Sequence, residues 1–133
     1  MMTVLAGLTA AALAWCGNLL LVRRWGDICV VWVVPAFEEF VKSGTALLFG
    51  ASIIFVHMIF GLAEAAHDYY ASRRFGFWSA LTALISHTVF GLVTYYILLY
   101  SGMWFLAIAG AALVHTAVNY LSIHYLRARK ERR

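Results

Sequence analysis

Five apolar stretches of about 20 residues make up almost the whole chain, with breaks of only two to six residues between them. They run over about residues 3–22, 28–49, 53–70, 77–100 and 103–126. At 1.5 Å per residue, a helix of that length crosses about 30 Å of hydrocarbon. No soluble core could hide so much apolar surface. Of 133 residues, 64% are hydrophobic and 12% charged, where a soluble domain is nearer half and a quarter. The same composition excludes a disordered chain, a disulfide-built secreted scaffold and a nucleic-acid-binding basic face. The expectation is an all-α, polytopic transmembrane bundle, with residues 1–133 forming a single domain without repeats or linkers.

The positive charges give the bundle a direction. Of ten Lys and Arg, Arg23 and Arg24 follow the first stretch, Arg73 and Arg74 the third, and Arg127, Arg129, Lys130, Arg132 and Arg133 the fifth. Nine of ten therefore fall at one end of an up-and-down bundle. Basic residues stay on the cytoplasmic side, so the N-terminus is expected outside and the C-terminus inside. Tyr69, Tyr70, Trp78, Tyr100 and Trp104 fall where an aromatic belt would lie. The first stretch reads as a retained helix, because no basic segment precedes it and it is long for a signal peptide. Cys16 and Cys29 have no CxxC partner and read as packing residues.

Lys42 is the tenth positive charge, and it lies inside the second stretch with Glu38 and Glu39. An ionisable residue at mid-membrane costs about 3 kcal/mol or more, so three together point to function. Glu38 and Lys42 are four apart and are expected to pair on one helix face. Glu39 points about 100° away and is expected to orient the motif or to pair with a neighbouring span. Pro35 removes one backbone donor just before them.

Other polar groups lie in later stretches: His57 and Glu64, then His87, then His115 with Asn119. Helix rise places Glu38 and His87 roughly 15 Å from the cytoplasmic end, Glu64 roughly 9–14 Å and His115 roughly 16 Å. Four spans thus bring ionisable groups to one layer. His57 reads as interhelical packing. His67, Asp68 and His124 read as interfacial.

These residues resemble a known pattern. Glu-Glu-x-x-Lys (Glu38, Glu39, Lys42), Phe-x-x-x-Glu (Phe60, Glu64) and later membrane histidines are similar to the PrsW family. Those proteins are intramembrane proteases related to the CPBP superfamily, which includes the type II CAAX prenyl endopeptidases and the Abi proteins. His115-x-x-x-Asn119 fits the superfamily, although PrsW tends to Asp at the second position. The resemblance covers about residues 35–119. It implies an intramembrane endopeptidase acting on a membrane-embedded or membrane-adjacent peptide bond. It also implies a multi-pass location in a bacterial-type plasma membrane and a membrane protein or peptide as substrate.

In that chemistry Glu38 is the expected general base, since a carboxylate in a low-dielectric site is suited to proton transfer near neutral pH. Glu64 stands where CPBP members carry His and would bind the water or share a proton. His115 and Asn119 resemble the family's oxyanion donors, and His87 is either a further donor or a metal ligand. Lys42 and Phe60 are supporting residues. A divalent metal such as zinc, held by Glu38, Glu64, His87 and His115, stays open, because two carboxylates and two imidazoles suit it. No His-Glu-x-x-His and no Gly-x-Ser-x-Gly occurs. Two other classes also fit the composition: a small proton-coupled carrier and a non-catalytic membrane adaptor.

Overall fold

The computed structural model describes residues 1–26, 28–71 and 75–131, with side chains as far as residue 124. Arg73, Arg74 and the side chains of the basic tail, Arg127 onward, lie outside the described residues. Five helices follow one another: α1 (Met2–Trp25), α2 (Cys29–Leu48), α3 (Ile53–Ala71), α4 (Gly76–Ser101) and α5 (Trp104–Glu131). No strand occurs among the described residues. The fold is all-α. Where α4 ends, Gly102 takes a left-handed conformation, and its N–H caps Leu98 O at 2.8 Å. That allows two long helices to be joined by two residues.

Contacts between layers fix the topology. Ala6 of α1, Ala46 of α2 and Val56 of α3 pack in one layer, and Ala10, Ala14, Val41 and Phe60 in the next. The first half of α1 therefore lies beside the second half of α2 and the first half of α3. Phe90 stacks on His115, with centroids 4.4 Å apart, so α5 runs antiparallel to α4. Small residues set the closest approaches. A Cβ on Gly61 would stand 2.9 Å from His87 Cβ, and one on Gly91 would stand 2.8 Å from His57 Cβ. Each histidine thus sits over a glycine of the facing helix, and α3 and α4 pack along their length.

Polarity is inverted relative to a soluble fold. Glu39, Lys42, His57, Ser43 and Thr94 are fully buried, while Leu48 is 80% exposed and Leu113 71%. So much outward apolar surface requires a nonaqueous surround. Among the described residues, three helices are long and apolar enough to cross a membrane: Met2–Trp25, Gly76–Ser101 and Trp104–His124. α2 and α3, of 20 and 19 residues, are of spanning length but carry Glu38, Glu39, Lys42, His57 and Glu64. Cys29 is buried, whereas Cys16 lies on the exposed face of α1 rather than in the packing.

Candidate functional site

The centre of the site is on α2. Glu39 is fully buried and accepts on both oxygens. Lys42 Nζ donates to its Oε1 at 2.5 Å, His115 Nδ1 approaches the same oxygen at 2.9 Å, and His57 Nε2 approaches Oε2 at 3.0 Å. One carboxylate therefore ties α2 to α3 and α5. His57 Nδ1 also faces Ile53 O at 2.9 Å. Both its ring nitrogens thus lie against oxygens, one of its own helix and one of α2.

The expected Glu38–Lys42 pair does not form. Lys42 turns instead to Glu39, three residues before it, and to His87 Nδ1 at 2.9 Å, with Phe60 4.6 Å below the ammonium. In a helix the i,i+3 and i,i+4 partners are equally accessible. The neighbours decide between them: the acceptor on α4 and the ring on α3 draw Lys42 away from the α1 side. An ammonium only donates, so His87 accepts at Nδ1 and carries its hydrogen on Nε2. That nitrogen donates to Glu64 Oε2 across the α3–α4 contact.

Glu38 is left with a different role. Its Oε1 accepts from Asn18 Nδ2 of α1 at 2.6 Å. Its Oε2 makes no hydrogen bond, although buried, and lies 3.9 Å from His115 Nε2. Beside it a cavity of about 450 Å³ opens between α1 and α3, lined by Trp15, Asn18, Glu38, Phe60, Glu64 and Asp68 among others. Glu64 is 39% exposed there. Glu38 thus borders the cavity with its Oε2 buried, while Glu39 is sealed.

Glu38, Glu39, Lys42, Phe60, Glu64, His87 and His115 come together through these contacts. Asn119 is not brought into the cluster. Its Nδ2 donates to Val30 O of α2 at 3.2 Å, two turns before Glu38. Two participants were not among the expected site residues. His57 had read as packing, and its i,i+7 spacing to Glu64 was the signal that it faces inward. Asn18 is the one strongly polar side chain within the first apolar stretch, and that isolation marked it.

Glu38, His87 and His115 offer ligand atoms within 4.8 Å of one another. Two imidazoles and a carboxylate suit zinc. The Nε2 of His87 is engaged by Glu64, however, and Lys42 sits 2.9 Å from Nδ1. A fixed ammonium against that ring opposes a dication on the same imidazole, so the donor set fits the ion poorly. No protein-family profile, no curated protein and no solved structure matches the chain.

Proposed function

We propose that the chain is a five-span intramembrane peptidase of the PrsW–CPBP kind, with Glu38 as the base that activates water. The observation that carries this reading is Glu38 itself, which lines a cavity while its buried Oε2 has no hydrogen-bond partner. A water in that cavity would give its proton to Glu38 as its oxygen attacks the peptide carbonyl. The proton would then pass to the leaving amine, and His115 Nε2–H, when protonated, would donate to the developing oxyanion. Glu64, held by His87, is placed to share the water. Glu39 and Lys42 position the machinery without touching substrate. α2 and α3 complete the five spans, because their charges point inward and pair. Arg23 and Arg24 in the last turn of α1 support an N-outside orientation, and a bacterial-type plasma membrane is the proposed location.

The test is cleavage of a quenched-fluorescent transmembrane peptide by the purified protein in liposomes. Glu38→Gln keeps the acceptor for Asn18 but removes the base, and should slow cleavage about 10²–10⁴-fold with folding intact. Chelators should leave the rate unchanged. Wild-type cleavage by Glu38→Gln sinks the proposal.

A second reading, a proton-coupled carrier, is favoured by one feature. Glu64, His87, Lys42, Glu39 and His57 form an unbroken hydrogen-bonded chain across three helices, as proton relays do. Proton flux lost with Glu64→Gln, in a protein that cuts no peptide, would select the carrier.

A further inference from the structure

We infer that Asn18 of α1 is a positioning residue for Glu38: it holds one oxygen of the base and leaves the other to take the proton. This role rests on the peptidase reading and adds to it a residue outside the stretch that resembles the family motifs, about residues 35–119. Asn18 Nδ2 donates to Glu38 Oε1 at 2.6 Å, and among the described residues this is the only hydrogen bond the Glu38 carboxylate makes. An amide nitrogen only donates, so Oε1 is committed as an acceptor. A donor on an ionised oxygen makes one of the stronger hydrogen bonds. Oε2 is left without one and lies 3.9 Å from His115 Nε2, the proposed oxyanion donor. Turning the carboxylate would exchange the two oxygens, and the amide opposes that turn. Proton acceptor and oxyanion donor thereby stay side by side.

The packing of α1 serves the same contact. Phe37 occupies the space that a side chain on Gly17 would need. The missing side chain lets α1 come close to α2, and the next residue on each helix, Asn18 and Glu38, meet. Ala14, one turn earlier on the face of Asn18, is buried in the layer of Val41 and Phe60. Apolar contacts thus already join α1 to α2 and α3. As further interhelical glue the amide is poor, because its Oδ1 is buried without a partner. An unpaired buried acceptor cancels much of what one hydrogen bond contributes. A polar group that adds little stability to an apolar span, yet contacts the base, points to the reaction.

The test compares kcat and KM of the whole protein in liposomes, with the quenched-fluorescent transmembrane peptide as substrate. Asn18→Leu replaces the amide by a residue suited to a membrane helix, and Asn18→Asp keeps the shape but loses the donor. Each should lower kcat about 10–100-fold, the scale of a misplaced catalytic group, with KM changed less than about twofold. In a Glu38→Gln background, Asn18→Leu should add no further loss to the residual rate, because the residue it acts through is gone. A glue residue would slow both backgrounds by the same factor. That result, or wild-type kcat in either variant, overturns the positioning role and leaves the peptidase reading standing. Infrared difference spectra give a readout without cleavage. The carboxylate band that Glu38→Gln removes should shift in Asn18→Leu, and an unshifted band overturns the positioning role. A shifted band in a protein that cuts no peptide keeps the hold of Asn18 on Glu38 and overturns the peptidase reading.

Discussion

Replacing Lys42 by Met tests how the interior is held together. Met fills a similar volume, so the change is chiefly the loss of one charge. The ammonium contacts Glu39 Oε1 at 2.5 Å and His87 Nδ1 at 2.9 Å, and Phe60 packs below it at 4.6 Å. Glu39 and Lys42 are both 0% exposed. Removing one member of a buried pair leaves an uncompensated charge, at a cost of about 3–5 kcal/mol. Equilibrium unfolding in mixed micelles, followed by tryptophan fluorescence, measures it. Glu39→Gln in the same molecule removes the stranded carboxylate, so the double variant should recover at least half of the loss. Coupled neighbours are not additive, and this non-additivity is the signature sought. A Lys42→Met cost below about 1 kcal/mol, far under the usual cost of a broken buried pair, would refute the reasoning. So would a double variant as unstable as the two single effects added together.

Gly61→Ala and Gly91→Ala would each drive a methyl into a histidine Cβ at under 3 Å. Each should cost about 1–3 kcal/mol in the same unfolding assay, and a neutral result would mean that α3 and α4 are not so close. Asn119→Ala should cost about 1 kcal/mol of stability and change the cleavage rate only a few-fold, since its amide is bonded to Val30 O. His115→Ala should slow cleavage by up to about 10²–10³-fold, and a comparable loss at Asn119 would return that residue to the site. Ser43→Ala should be neutral or stabilising by up to about 1 kcal/mol, because the hydroxyl is buried without a partner. Its cleavage rate should match wild type, and a large loss would require a serine in the chemistry.

Much of the fold could be read in the chain because long apolar helices make the problem nearly one-dimensional. The helices begin and end within three residues of the apolar stretches, apart from α5, which continues through the basic tail to Glu131. Within such helices depth follows from residue number, so Glu38, Glu64, His87 and His115 could be placed in one layer. Rotation about each helix axis could not be read in the same way. The sequence offers Lys42 two acidic partners, at i−3 and i−4, and only His87 on α4 and Phe60 on α3 show which way it turns. His57 depends likewise on Gly91, whose missing side chain lets the imidazole press against α4 and reach Glu39. Asn119 shares a face with His115 on α5, yet four residues are about 6 Å of rise, enough to move it from Glu39 to the backbone of Val30.

Glu38 and Glu39 are the same residue type, one position apart, and the structure gives them opposite surroundings. Glu39 turns into the bundle and receives Lys42, His57 and His115; it is saturated and sealed. Glu38 turns toward α1, where Asn18 satisfies one oxygen beside the cavity and the other is buried without a hydrogen bond. A helix step of about 100° is the whole cause of the difference. The saturated carboxylate fixes His115 with its Nδ1 toward α2, which leaves Nε2 facing Glu38. The structural glutamate thereby aims a histidine at the free one. A one-residue insertion before Glu38 would carry the first acid into Glu39's present place and the second onto the exposed face of Phe40, leaving no carboxylate opposite Asn18. The motif therefore requires two adjacent acids rather than one: the first needs an oxygen left free, and the second holds the imidazole that faces it.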